Sequence, residues 1–252
     1  GPGRPPVAVV VDLGGDDRYE CAYGPALGFF GLGALFDLGG DDRYRTETHG
    51  IGAGFFGSGI LVDRDGDDRY AGGGFVTQGA GRIGLGFLAD LAGDDEYRCA
   101  GRGQGFGSTL GCGILFDAGG SDLYASRPDD RGSYGAFVQG ASLGRRADLA
   151  DGRSLAGGFG LLVDAAGDDR YDAGDWSLGA AYWWGIGLVE DRDGSDRWRS
   201  GSYSLGAAAH YGAGCCVDLN GDDVYNDPDD DRASAQFQGY AHDGSVAAFV
   251  DL

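Results

Sequence analysis

Short stretches of alternating apolar and small residues recur along the chain. Residues 31–37 and 111–117 both read Gly-x-Gly-x-apolar-x-Asp, and similar stretches precede the other copies of a repeated motif. A period of two predicts a short β-strand, because successive side chains of a strand point to opposite faces. One face of these strands is expected to carry a single apolar residue per copy: Leu35, Leu61, Leu88, Leu115, Leu162, Val189, Cys216 and Phe249.

The motif that follows each strand is Asp-x-x-Gly-x-Asp-x-(Tyr/Trp). It occurs eight times, and a ninth copy begins at Asp251; the eight copies end at Tyr19, Tyr44, Tyr70, Tyr97, Tyr124, Tyr171, Trp198 and Tyr225. The spacing is 25 to 27 residues, except for 47 between Tyr124 and Tyr171. Such a repeat is too short for a propeller blade and lacks the periodicity of a helical repeat. It predicts an all-β fold, a right-handed parallel β-solenoid of about nine coils of about 26 residues.

The repeat predicts a single domain over residues 4–252. Residues 1–3 read Gly-Pro-Gly, which resembles the remnant of a removed tag, so we expect a segment cut from a longer protein. The extra residues between the fifth and sixth copies predict two loops at coil corners, near 126–133 and 144–156. A third acidic loop is expected near 226–234.

The amino-acid composition excludes several classes of partner and structure. All 19 basic residues are Arg, 36 of the 40 acidic residues are Asp, and the net charge is −21. This charge argues against nucleic acid as a partner, since phosphate binding needs clustered Lys and Arg. The longest apolar run is far below the roughly 18 residues of a membrane-spanning helix, so no membrane insertion is expected. Five cysteines are too few for a disulfide framework.

Two aspartates are present in every copy of the motif. The leading aspartates are Asp12, Asp37, Asp63, Asp90, Asp117, Asp164, Asp191 and Asp218, and the later aspartates are Asp17, Asp42, Asp68, Asp95, Asp122, Asp169, Asp196 and Asp223. In a solenoid they form two ladders with rungs about 5 Å apart, where like charges repel by roughly 1 to 3 kcal/mol per pair. Carboxylates around a glycine turn suit Ca²⁺, and we expect about one ion per coil, which would change the net charge to about −5.

Gly15-Asp16-Asp17-Arg18-Tyr19 and its copies resemble the second half of the calcium-binding RTX nonapeptide repeat. By that resemblance the later aspartates match the calcium ligands of a parallel β-roll, and the invariant glycine matches the turn glycine. The period here is longer than in RTX proteins, and an aromatic residue replaces the usual Leu. The resemblance implies calcium binding and extracellular use without implying an enzyme.

Other interpretations of the aspartates and aromatic residues remain open. One alternative is that the aspartates are turn formers balanced by neighbouring arginines, and another is a halophilic adaptation in which they hold water. Exposed aromatic residues, namely Trp176, Tyr182, Trp183, Trp184 and Tyr211, suggest a strip that binds a polysaccharide, and a carbohydrate-active β-helix enzyme or binding module is the alternative function. No catalytic residue stands out, because every coil carries the same carboxylate pair.

The sequence therefore predicts a calcium-stabilised extracellular module with a structural or adhesive role. Open solenoid ends expose unpaired strands, so a homo-oligomer or filament formed by end-to-end stacking is expected. A polysaccharide or another cell-surface molecule is the other expected partner.

Overall fold

The protein is described here by a computed structural model that covers residues 4–126, 136–147, 152–226 and 238–252. Residues 1–3 and most of the predicted loops near 126–133 and 226–234 lie outside these ranges, as do residues 148–151 of the loop at 144–156. Within the described ranges every named element is a β-strand. None of the described residues forms a helix with the length and hydropathy needed to cross a membrane.

Twenty-five strands form three parallel sheets. Sheet A has nine strands: β1 (Val7–Val11), β4 (Leu32–Phe36), β7 (Ser58–Val62), β10 (Leu85–Asp90), β13 (Cys112–Asp117), β16 (Phe159–Val163), β19 (Ile186–Asp191), β22 (Ala213–Asp218) and β25 (Val246–Asp251). Sheet B has eight: β2 (Arg18–Tyr23), β5 (Arg43–His49), β8 (Arg69–Gly72), β11 (Glu96–Cys99), β14 (Leu123–Ser126), β17 (Arg170–Asp172), β20 (Arg197–Arg199) and β23 (Val224–Tyr225). Sheet C has eight short ones: β3 (Gly28–Phe29), β6 (Gly54–Phe55), β9 (Gly81–Arg82), β12 (Gly107–Ser108), β15 (Ser142–Leu143), β18 (Ala181–Tyr182), β21 (Ala208–Ala209) and β24 (Ala241–His242).

The chain visits the sheets in the order A, B, C and then starts the next coil, which makes a β-solenoid of eight coils with a ninth strand in sheet A. Every third strand pairs in parallel, so equivalent residues of successive motifs lie beside each other. Leu88, for example, pairs with Leu61 on one side and Leu115 on the other. The predicted fold class is confirmed.

The core runs along the axis as columns of equivalent residues. The apolar column predicted for sheet A is buried from Leu35 to Cys216, and Phe249 at the last strand remains 37% exposed. The column from sheet B consists of the motif aromatic residues, which are also buried in the inner coils. Glycines on the inner face of sheet A let sheet C approach, since a Cβ on Gly86 would lie 2.1 Å from the carbonyl oxygen of Ala80.

The invariant glycine of the motif lies at the corner between sheets A and B. A glycine that never varies predicts a backbone with positive φ or a close approach. Here φ is positive in all eight copies, between 130° and 157°. The turns also stack backbone on backbone: a Cβ on Gly120 would lie 1.6 Å from the carbonyl oxygen of Gly93 in the preceding coil. Both the conformation and the packing therefore require glycine.

Candidate metal centre

The two aspartate ladders lie inside the corner between sheets A and B. The leading aspartate closes the sheet A strand, and the later aspartate comes directly before the sheet B strand. Leading aspartates from Asp37 to Asp218 are at most 1% exposed, and later aspartates from Asp42 to Asp196 are at most 3% exposed. Carboxylates are rarely buried to this extent unless they are paired, protonated or bound to metal.

Most leading aspartates accept hydrogen bonds at both carboxylate oxygens. Asp117 shows the arrangement: Oδ1 accepts the backbone N–H of Gly119 at 3.0 Å, and Oδ2 accepts the hydroxyl of Tyr97 from the preceding coil at 2.6 Å. The first contact is an aspartate turn of the kind expected if the residue is a turn former. The second ties consecutive coils together and is repeated by the hydroxyls of Tyr19, Tyr44, Tyr70, Tyr124 and Tyr171.

Each later aspartate uses one oxygen to join neighbouring coils. Its Oδ1 accepts the backbone N–H of the later aspartate in the preceding coil, at 2.6 to 2.8 Å, and this contact recurs at all seven steps from Asp17 to Asp223. The other oxygen, Oδ2, is buried and has no hydrogen-bond donor in Asp95, Asp122, Asp169 and Asp196. A turn-forming role alone leaves these oxygens unexplained, because a buried acceptor without a partner is costly.

Carboxylate oxygens of the two ladders converge in groups of three. One oxygen each from Asp63, Asp68 and Asp90 lie within 4.8 Å of one another, and so do oxygens from Asp122, Asp164 and Asp169. Similar groups form at Asp37, Asp42 and Asp63 and at Asp95, Asp117 and Asp122. Oxygens that share one Ca²⁺ at 2.3 to 2.6 Å are separated by at most about 5 Å, so this spacing fits a common ion.

Burial makes the charged form of these carboxyls unfavourable. It raises the pKa of Asp68, Asp122 and Asp169 to about 9 and that of Asp95 to about 11, and repulsion from neighbouring aspartates adds to the effect. Among the leading aspartates, burial likewise raises the pKa of Asp164 to about 9. The ladders therefore bind either protons or cations when the protein is folded.

Arginine does not supply the missing charge. Arg18, Arg43, Arg69, Arg170 and Arg197 directly follow later aspartates, and all five are exposed. Successive residues of a strand point to opposite faces, so the guanidinium groups face solvent while the carboxylates face the core. The residue directly before each later aspartate is also acidic in most coils, as in Asp94, and its side chain is exposed as well.

Sequence reasoning missed the part played by the motif aromatic residue. From Tyr19 to Trp198, its hydroxyl or indole N–H donates to the leading aspartate of the next coil, and the hydroxyl of Tyr225 donates to Asp218 of its own coil. The sequence does hold a signal for this role, since all eight copies carry Tyr or Trp and none carries Phe. Only a ring with a hydrogen-bond donor serves both the core and the carboxylate.

The aromatic residues suggested for polysaccharide binding do not form a single open strip. Trp176 is sandwiched between Phe137 and Tyr203, with centroids 5.8 and 4.6 Å away. Trp184 and Tyr211 stack on each other at 4.7 Å, and both are more than half exposed. Stacking along the axis covers ring faces, which are the surfaces that a sugar ring would need.

The remaining two candidates lie beside a cluster of polar side chains. The guanidinium of Arg146, from the loop near 144–156, lies over Trp183 at 5.6 Å and donates to the hydroxyl of Tyr182 at 3.4 Å. It also contacts Nε2 of His210, whose Nδ1 is 2.7 Å from Oδ2 of Asp243. This cluster, unlike the aspartate ladders, occurs once in the described chain.

Comparison with protein-family models, curated proteins and solved structures gave no match, so the centre is interpreted from its own geometry.

Proposed function

We propose that this protein is a calcium-stabilised structural rod, in which Ca²⁺ lies along the aspartate ladders at about one ion per coil. The observation that carries the proposal is the row of buried, donor-free Oδ2 atoms on Asp95, Asp122, Asp169 and Asp196. Three of these aspartates, Asp95, Asp122 and Asp169, also belong to the groups of three whose carboxylate oxygens come together. The residues that would hold the ions are the sixteen leading and later aspartates.

Charge balance supports a divalent ion. Each coil contributes one leading and one later carboxylate, which together carry the charge that a single Ca²⁺ neutralises. The ligand set is made of hard oxygen atoms, which suit Ca²⁺ and Mg²⁺ better than softer metals. Mg²⁺ gives up its bound water molecules reluctantly. The stacked glycine turns close the site and leave little room for a hydrated ion, so the site favours Ca²⁺ over Mg²⁺.

The stability of the folded chain also favours a bound cation. A carboxyl whose pKa is near 9 in the folded chain keeps its proton at pH 7, whereas the unfolded chain releases it. Folding therefore loses about 1.4 kcal/mol of stability for every pH unit above the pKa of the unfolded chain. Several such groups occur here, and a domain has only about 5 to 15 kcal/mol of stability to lose. A bound cation removes this penalty, and metal binding then contributes directly to folding.

We test this proposal by metal analysis and thermal unfolding. Protein saturated with Ca²⁺ and passed over a desalting column should retain about one Ca²⁺ per coil by elemental analysis. After exhaustive chelation, Ca²⁺ should raise the melting temperature far more than Mg²⁺ or Na⁺ at matched ionic strength. No retained calcium, together with equal effects of the three cations, would refute the proposal.

The proposal extends to an extracellular location and a structural or adhesive role. Outside cells Ca²⁺ is millimolar, so ladders that need it fill there and stabilise the fold by mass action. End-to-end contact between copies is the proposed mode of assembly, since β1 and β25 each have one paired neighbour among the described strands. Light scattering at several protein concentrations in Ca²⁺ should show growth in mass, and a constant monomer mass would refute this assembly.

A further inference from the structure

The outer face of sheet A is apolar along the whole rod. Side chains one, three and five residues before each leading aspartate point outward, because the leading aspartate itself faces the core. From Leu32 to Val250 there are 24 such positions, and 20 of them carry Ala, Val, Ile, Leu or Phe. The other four are two cysteines, Ser58 and Glu190. This face therefore has almost no charge, in a chain whose net charge is −21.

The outward side chains of sheet A meet solvent. Phe36 is 36% exposed and Ile186 is 51% exposed, and most of the other outward side chains are partly exposed. The one charged side chain among them, Glu190, is paired, since its Oε1 lies 2.6 Å from Nε of Arg192. Sheet C lies against the inner face of sheet A, and no described strand covers the outer face.

Parallel sheets with apolar side chains on both faces are normally covered on both faces. Residues 112–116 of sheet A read Cys-Gly-Ile-Leu-Phe, a continuous apolar run of the kind found in strands that are covered on both sides. Sheet B differs, because its outward positions beside the motif aromatic residues carry Arg43, Arg69 and Glu96. Such side chains suit a face that stays in water. Sheet A, unlike sheet B, therefore has the composition of a sheet with a second layer on its outer side.

The outer face of sheet A is large enough for a specific protein interface. Nine strands of about five residues, spaced about 4.8 Å apart, cover about 38 Å by about 16 Å. This footprint of about 600 Å² per copy gives about 1,200 Å² when two copies meet, which lies within the size range of specific interfaces. Apolar patches on proteins that remain monomeric are usually no larger than about 300 to 600 Å².

We propose that the chain forms a two-fold symmetric dimer in which the outer faces of two copies of sheet A pack against each other. A second copy fits this face, because a flat apolar sheet face is complementary to itself and sheets commonly pack face to face. The strongly acidic remainder of the chain disfavours an anionic membrane surface as the occupant. The contact uses none of the ladder aspartates, so it is independent of the calcium proposal and of end-to-end assembly.

The charges at the two long edges of the face select a parallel dimer. One edge is the corner with the acidic turns, where Asp67 and Asp94 are exposed. The opposite edge, between sheets C and A, carries Arg82, Arg145 and Arg146. A two-fold axis parallel to the rod places each acidic edge beside this opposite edge of the other copy, whereas an antiparallel dimer brings two acidic edges together. In the parallel dimer each coil faces the same coil of the other copy.

Sedimentation velocity on calcium-saturated protein measures the assembly. The unmodified chain should sediment as a dimer, with twice the monomer mass of 26.0 kDa. Ile114→Asp places a carboxylate in the middle of the face and should raise the dissociation constant of the dimer by at least about thirtyfold. Leu123→Asp makes the same kind of change in the same coil, on the outer face of sheet B, and should leave the dimer intact.

Cross-linking tests the orientation of the two copies. Cys215 lies in the middle column of the outward side chains and is partly exposed, so a parallel dimer brings the two Cys215 thiols opposite each other. Cys21→Ser and Cys112→Ser remove the other accessible thiols, and the remaining two cysteines are buried. A short bis-maleimide should then link two copies through Cys215, whereas an antiparallel dimer would hold these thiols at opposite ends of the interface.

Circular dichroism identifies a variant that fails to fold, and Ile186→Asp, at a more exposed position, then replaces Ile114→Asp. A monomer in the unmodified chain would overturn the proposal, and its flotation with phosphatidylcholine vesicles would identify lipid as the occupant of the face. Equal dissociation constants for Ile114→Asp and Leu123→Asp would also overturn it. A dimer that gives no Cys215 cross-link would overturn the parallel orientation. A dimer mass that stays constant as the protein concentration rises would support this dimer and refute end-to-end assembly.

Discussion

Acid should stabilise this protein once its metal is removed, which is the reverse of what most domains do. Burial raises the pKa of Asp122 and Asp169 to about 9, far above the value near 3.8 expected in the unfolded chain. The folded state therefore holds protons that the unfolded state has already released. Its stability is greatest below the unfolded pKa and is lost as pH rises toward the folded one.

The size of the effect follows from linkage. Between pH 5 and pH 7 each such carboxyl is protonated in the folded chain and ionised in the unfolded chain, so stability falls by roughly 1.4 kcal/mol per carboxyl for each pH unit. Asp122 and Asp169 together remove about 5 kcal/mol, which equals the whole stability of a marginal domain. Calcium replaces the protons, so in saturating Ca²⁺ the stability should change little with pH.

Thermal unfolding by circular dichroism measures this directly. Chelated protein at pH 5, 6, 7 and 8 should show a melting temperature that falls steadily, or a folded state that is lost near neutral pH. The same series in Ca²⁺ should show a nearly constant melting temperature. A melting temperature in chelator that rises with pH, or ignores it, would show that the buried aspartates are ionised without help, and the reasoning would be wrong.

Three further changes test the ladders and the turns. Asp122→Asn should reduce the retained calcium by about one or two ions, measured by elemental analysis, and lower the melting temperature in Ca²⁺. Asp94→Asn, on the exposed face, should change neither quantity. Equal losses in the two variants would contradict the assignment of the calcium ligands. Gly120→Ala places a Cβ 1.6 Å from a backbone oxygen and should cost about 3 kcal/mol or more in chemical denaturation, while Gly152→Ala meets no atom within 4 Å and should cost clearly less. Bound ⁴⁵Ca²⁺ should exchange no faster than the chain unfolds in the same buffer, because the ladders are closed by stacked turns; exchange within seconds in folded protein would place the ions elsewhere.

The sequence by itself determined the repeat, and the repeat determined the fold. Alternation before each motif predicted the strands of sheet A, and the face that it assigned to Leu61, Leu88 and Leu115 is the buried face. The invariant glycine predicted a positive φ, which all eight copies show. These inferences succeed because one coil resembles the next, so eight copies in one chain separate required residues from tolerated ones.

Tertiary structure decided what the required residues contact. Asp122 and Asp169 are 47 residues apart in sequence, yet Oδ1 of Asp169 accepts the backbone N–H of Asp122 at 2.7 Å. Such contacts depend on parallel register between coils and on which oxygen faces the core, and neither is encoded locally. The sequence predicted that the carboxylates form ladders. It did not show that burial leaves the Oδ2 of Asp122 without a hydrogen-bond donor, or that the motif aromatic residues stack in one column, because both depend on contacts between coils.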